Sequence, residues 1–103
     1  PIWQLLYDRN ADLVLTGHDH TYERFAPQTA TGARDDARGL REFVVGTGGK
    51  NHYAFASVQP NSEVRNSDTF GVLKLNLRSD GYDWRFVPVA GKTFSDTGSD
   101  TCH

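Results

Sequence analysis

The sequence has no methionine, a single cysteine and no long apolar run. A helical membrane span needs about 20 consecutive apolar residues, so no stretch is expected to cross a bilayer as a helix. There is no charge excess of either sign: 11 basic residues face 13 acidic ones, a net charge of −2. A nucleic-acid binder would show a basic stripe able to neutralise several phosphates, and no such stripe is present. With Cys102 alone there is no thiolate cluster at metal-ligand spacing. Two readings of it stay open: a free thiol, or half of a disulfide whose partner lies further upstream. Position 1 is proline rather than methionine, no signal peptide is visible, and Pro1 suits a first helical turn yet has no capping residue before it. We read the chain as a segment whose upstream part lies elsewhere.

What the sequence does hold is enough for a folded unit. At 103 residues it is one small domain or a piece of a larger one. A chain of that size removes about 60–70% of its unfolded surface from water, and twelve aromatic residues supply bulk.

Ile2, Leu5, Leu6 and Arg9 fall at helical spacing, so residues 1 to 9 predict a short amphipathic helix that Asn10 ends. Leu13, Val14 and Leu15 form a continuous apolar run, expected to be a strand (12 to 16) covered on both faces. Residues 28–39, QTATGARDDARG, read as a loop, with Arg34, Asp35, Asp36 and Arg38 as a solvated charge cluster. REFVVGTGG (41 to 49) predicts a second buried strand ending in glycines. Residues 51–68 read mostly as loop. In TFGVLKLNLRSDGYDWRFVPV, Leu73, Leu75 and Leu77 alternate with Val72, Lys74 and Asn76. The alternation resumes after SDG with Tyr82, Trp84 and Phe86, which predicts a β-hairpin. Trp3, Trp84 and Phe86 are expected in the core, and residues 90–103 as a tail with little core content. The fold class is α+β: one helix, then mostly strands.

The chemistry lies in DLVLTGHDHTYERFAP. In an extended segment residues i and i+2 point to one side, so His18 and His20 would share a space, roughly 6–7 Å apart along the backbone. Asp19 would point away. That geometry suits two metal ions about 3.5–4 Å apart, each taking one histidine, better than a single ion. Taken alone, His-x-His is more often a pair of surface histidines at a strand end.

The context adds weight. GHDHTYER, directly after an apolar strand, resembles the final metal-binding motif of the calcineurin-like metallophosphoesterases, and its YER is most similar to their purple acid phosphatase branch. The resemblance continues through REFVVGTGG and covers most of the chain, from the opening helix to the hairpin. It implies a fragment of a four-layer α/β/β/α sandwich with a dinuclear centre (Fe, Zn or Mn) at the strand ends. It also implies a phosphate ester substrate, hydrolysed in line by a metal-bound hydroxide. His18 would ligate the divalent ion and His20 the other. The family's remaining motifs, with their bridging carboxylate, are not in this sequence. They would lie upstream in the same polypeptide, so the chain alone is expected to bind metal weakly and to be inactive. The resemblance and the lone cysteine together imply a secreted or extracytoplasmic location.

Asp19, Tyr22, Glu23, Arg24 and His52 are further candidates for supporting the metal loop or touching substrate, Tyr22, Glu23 and Arg24 by orienting that loop through hydrogen bonds. GTGGK superficially resembles a phosphate-binding loop but does not meet the G-x-x-x-x-G-K-[ST] pattern; tight packing beside the histidine loop is the expected reason for its glycines. The alternative to an enzyme segment is a non-catalytic β-rich interaction domain, or a self-associating one that pairs as a homodimer.

Overall fold

The computed structural model describes residues 1–51, 55 and 57–103. Helix α1 (Ile2–Asp8) is followed by β1 (Leu13–Thr16), β2 (Tyr22–Phe25), β3 (Arg41–Val45), β4 (Ser62–Asn66), β5 (Gly71–Leu77), β6 (Gly81–Pro88) and β7 (Thr97–Thr101). Four strands form one sheet in the order β1-β3-β2-β4, and three form another in the order β5-β6-β7. This is the expected α+β composition. No helix among the described residues is long and apolar enough to cross a membrane.

β1 and β3 run parallel, in register from Leu13↔Arg41 to Thr16↔Val44. All other pairings are antiparallel. Alternation along each strand gives the four-stranded sheet an inner face that includes Leu13, Tyr22, Phe43, Val45 and Val64. The facing sheet contributes Leu73, Leu75, Tyr82, Trp84 and Phe86 to the same core. Aromatic rings carry the junction, with Tyr22 4.8 Å from Phe86 and Phe43 5.5 Å from Trp84 between centroids. The hairpin register Leu73↔Phe86, Leu75↔Trp84 and Leu77↔Tyr82 is the one the alternation predicts. Gly98 lies flush on the indole of Trp84, where any Cβ would overlap the ring.

The helix ends as expected, Asn10 taking a left-handed φ of 59°, which Asn tolerates better than most residues. Five expectations need correction. β1 is not covered on both faces: it is the edge strand of its sheet, and Leu15 is 54% exposed. Trp3 is only half-buried, because α1 buries no residue fully. Residues 51–68 contain β4, which pairs with β2 across a bulge at Arg24/Phe25; its alternation is carried by charged and polar side chains, so no apolar period marks it. The tail contains β7, a Gly/Ser/Asp/Thr strand held by its ladder to β6, and it brings Phe94 and buried Asp96 to the core. The cluster at 34–38 is not uniformly solvated. Arg34 and Asp36 form an exposed pair, but Asp35 accepts a 2.7 Å hydrogen bond from the Tyr7 hydroxyl. Arg38 lies over the Tyr7 ring and donates to Asn10. These contacts fasten α1 to the loop, and the Tyr7 hydrogen bond is the main reason the Asp35 carboxyl sits below its ordinary range.

Candidate functional site

The parallel pairing of β1 and β3 sends both strands toward the same edge of the sheet. Gly17 to Thr21 leave β1 there, and Gly46 to Asn51 leave β3. In open sheets with parallel strands, the crevice beyond the carboxyl ends is where ligands bind. The Gly46 N–H donates to the Thr21 carbonyl at 3.0 Å. A Cβ on Gly46 would overlap the Asp19 carbonyl oxygen and sit 2.8 Å from that of Gly17. The two loops therefore touch backbone to backbone. This is the tight packing expected of the glycines, seen at Gly46; a Cβ at Gly48 or Gly49 would meet nothing within 4 Å among the described residues.

The histidines are not in extended backbone. Residues 18–21 form a bend, and the Thr21 N–H donates to the Asp19 carbonyl at 2.9 Å across a three-residue turn. The alternation expected of extended backbone therefore does not apply to His18, Asp19 and His20. The strand ends at Thr16 because Gly46 crowds against Asp19 and Gly17. His18 is exposed and His20 half-buried. His20 Nδ1 lies 3.0 Å from the Asn51 carbonyl oxygen. A carbonyl only accepts, so Nδ1 carries the proton, and in the neutral ring the lone pair is on Nε2. Metal-ligating histidines are characteristically set in this way by a carbonyl or carboxylate on the second ring nitrogen. Asn51 escaped the sequence reading because it acts through its backbone.

Tyr22, Glu23 and Arg24 lie on β2, and their side chains make contacts within and between the sheets. The Tyr22 hydroxyl donates to Asp96 at 2.6 Å, and burial, then that hydrogen bond, pushes the phenol far above its ordinary value. Arg24 pairs with Asp96 at 2.8 Å and with Glu63. Ser62 donates to Glu23. Arg41, 6% exposed, bridges the two sheets: it contacts Glu63 at 2.8 Å and Asp100 at 3.2 Å, and donates to the Phe25 carbonyl. Burial pulls its guanidinium downward, but the hydrogen bonds to Glu63 and Asp100 outweigh this and leave it above its ordinary value. Both guanidinium carbons lie over the Trp84 ring, at 5.0 Å for Arg24 and 4.8 Å for Arg41. Sequence reasoning missed Glu63, Asp96 and Asp100, whose partners are 39, 72 and 59 residues away for the Arg24–Glu63, Arg24–Asp96 and Arg41–Asp100 contacts.

On the outer face of the sheet, Thr16 donates to Glu42 at 3.2 Å. Burial raises the Glu42 carboxyl, and the charges of Glu23 and Asp19 raise it further. The folded state therefore holds the Glu42 proton more tightly than the unfolded chain. The stability this group contributes is present below its unfolded value and is lost as pH rises through the folded one. Glu42→Gln keeps an acceptor for Thr16 and removes the like charges. We expect it to raise stability at pH 7 by on the order of 0.5 kcal/mol and to flatten the pH dependence just above the ordinary carboxylate range. Urea melts of both proteins at pH 4 and pH 7 check this; a variant that is equally destabilised at both contradicts it.

Among the described residues no group of three or more His, Cys, Asp or Glu side chains is placed to hold a metal ion. His52 lies outside the described residues. Cys102 is exposed, and desolvation together with Asp12 raises its thiol, disfavouring the thiolate. No family model, curated protein or solved structure matches the chain.

Proposed function

We propose that this chain is the C-terminal segment of a dinuclear metal-dependent phosphoesterase of the calcineurin-like class, nearest the purple acid phosphatase branch, within a four-layer sandwich and at an extracytoplasmic location. His18 and His20 each hold one of two ions, of iron, zinc or manganese. Bound there, the ions would supply the nucleophile and the charge that stabilises a transferring phosphoryl group. The observation that carries the reading is the meeting of the Gly-His-Asp-His loop and the glycine loop beyond the carboxyl ends of two parallel strands.

The residues fit a share of such a centre. His20 has the tautomer that offers Nε2, because its Nδ1–H is held by Asn51. His18 is exposed at the same turn. Two imidazoles are a partial ligand set, and carboxylates from the rest of the polypeptide complete it. Tyr22, Arg24 and Arg41 act at a distance, by fixing the sheet from whose edge the loop projects.

The test is made on the polypeptide that carries this segment, with an aryl phosphate as substrate. His18→Ala and His20→Ala should each lower turnover by roughly a hundredfold or more, the upper range for loss of even an indirect metal contact, while circular dichroism is unchanged. Asp19→Ala should cost far less. Equal losses at Asp19 and at the histidines would overturn the assignment of ligands, and full activity in both histidine variants would overturn the function.

A further inference from the structure

Beyond β3 the glycine loop is tied at both of its ends. At the near end Thr47 is fully buried and exchanges two hydrogen bonds with Gly71, the first residue of β5. The Gly71 N–H donates to the Thr47 carbonyl at 3.0 Å, and the Thr47 hydroxyl donates to the Gly71 carbonyl at 2.9 Å. At the far end the Asn51 carbonyl lies 3.0 Å from His20 Nδ1. Between the two, Gly48 and Gly49 have no side chain to fix the path, and Lys50 is exposed.

Gly71 is a firm anchor. It pairs with Pro88, and a Cβ there would overlap the Val87 carbonyl oxygen and lie 2.7 Å from the Phe86 ring. Phe86 is fully buried and packs on Tyr22. The anchor thus belongs to the three-stranded sheet, while the histidine loop projects from the four-stranded one. A hydroxyl buried as fully as that of Thr47 needs its partner within the protein. The β-branch of threonine also restricts rotation about its Cα–Cβ bond. The backbone half of the tie could be made at any residue, but the side-chain half requires a hydroxyl.

We propose that Thr47 is a positioning residue for His20. Its hydroxyl holds the start of the glycine loop against the second sheet, at the place from which the loop brings the Asn51 carbonyl to Nδ1. Gly46, one residue earlier, is pressed on the Asp19 and Gly17 carbonyls, so the same tether keeps the two loops in register. Without it the run Gly48 to Lys50 lets Asn51 drift from the ring. His20 then loses the acceptor that keeps its proton on Nδ1 and its lone pair on Nε2. The ion that Nε2 would hold rests on the phosphoesterase reading; the tether and the tautomer do not.

Two measurements test this. Nitrogen-15 spectra of the His20 ring in the 103-residue chain, at about pH 8.5 where imidazole is neutral, read the tether. Zinc titration of the polypeptide that carries this segment reads its use. Thr47→Val keeps the shape and removes the hydroxyl. It should turn the Nδ1–H form into a mixture of tautomers and weaken zinc binding roughly tenfold, the low end for losing an outer contact of a metal ligand. Thr47→Ser keeps the hydroxyl and should match the unaltered protein in both. Val64→Ala cuts the core on β4, at the opposite edge of the sheet from β1, and should lower stability without moving the tautomer. Should the valine variant not fold, Thr47→Ala read against Thr47→Ser decides. An unmoved tautomer in Thr47→Val would overturn the proposal. So would a serine variant that behaves like valine, or a Val64→Ala that shifts the tautomer as far. A tautomer that shifts while zinc binding does not would uphold the tether and count against the phosphoesterase reading.

Discussion

Arg41→Ala should lower the unfolding free energy by about 3 kcal/mol, the low end for breaking a buried ion pair from one side. The low end applies because Glu63 keeps its pair with Arg24, and both Glu63 and Asp100 keep some contact with solvent, at 28% and 36% exposure. Three losses combine. Asp100 loses its cation and Glu63 one of its partners, the Phe25 carbonyl loses a donor, and the Trp84 ring loses one of the two guanidinium groups over it. A domain of this size has roughly 5–15 kcal/mol in total, so the variant would melt many degrees lower. Arg34→Ala is the control. Arg34 sits in an exposed pair with Asp36 and reaches Glu63 only at 3.8 Å, itself 56% exposed, and exposed pairs contribute about 0–1 kcal/mol. Urea titration of both variants checks the expectation. An Arg41→Ala effect no larger than that of Arg34→Ala would mean that the bridge between the sheets adds nothing to stability.

Gly46→Ala should disturb the histidine loop more than any other single methyl group. The three atoms nearest the added carbon are all backbone: the Asp19 carbonyl oxygen, the Asp19 carbonyl carbon at 2.7 Å and the Gly17 oxygen at 2.8 Å. No side chain can rotate away, so residues 17–21 must move as a unit. Overpacking of this kind costs about 1–3 kcal/mol. The displacement should also break the contact between His20 and Asn51. Imidazole nitrogen-15 spectra report it directly, with the Nδ1–H tautomer of His20 in the unaltered chain and a mixture in Gly46→Ala. Gly48→Ala, two residues on, adds a methyl group that meets nothing within 4 Å among the described residues and should change neither stability nor tautomer. Identical His20 spectra in all three proteins would contradict the account of the loop.

How much of this was legible beforehand depends on where the information sits. The hairpin β5–β6 was, since Leu73, Leu75, Trp84 and Phe86 alternate and a short Asp-Gly connection joins the strands. The helix, its stop at Asn10 and strand β3 were legible for the same reason: local spacing decides them. The strands β2, β4 and β7 were not. Glu23, Arg24, Glu63, Arg65, Ser99 and Asp100 are poor markers of a strand, and what holds these elements is pairing with residues far away in sequence. The histidines were visible as a motif. The bend that carries them was not, because it follows from the contact between Gly46 and Asp19, 27 positions apart along the chain. Likewise the tautomer of His20 depends on a backbone carbonyl, which no residue type announces.

The bridge between the sheets also has a consequence for synthesis. Asp96 follows Arg24 by 72 residues, and translation proceeds at roughly 5–20 residues per second. Arg24 and Tyr22 therefore leave the ribosome about 4–15 s before the carboxylate that pairs with them. Until then the Tyr22 hydroxyl lacks its acceptor and Arg24 has only Glu63 to pair with, and the two sheets cannot close fully on one another. Contacts of such long separation are slow to form. The nascent chain thus passes through an interval in which its most interactive surface is exposed, and holding factors that bind apolar segments would act then.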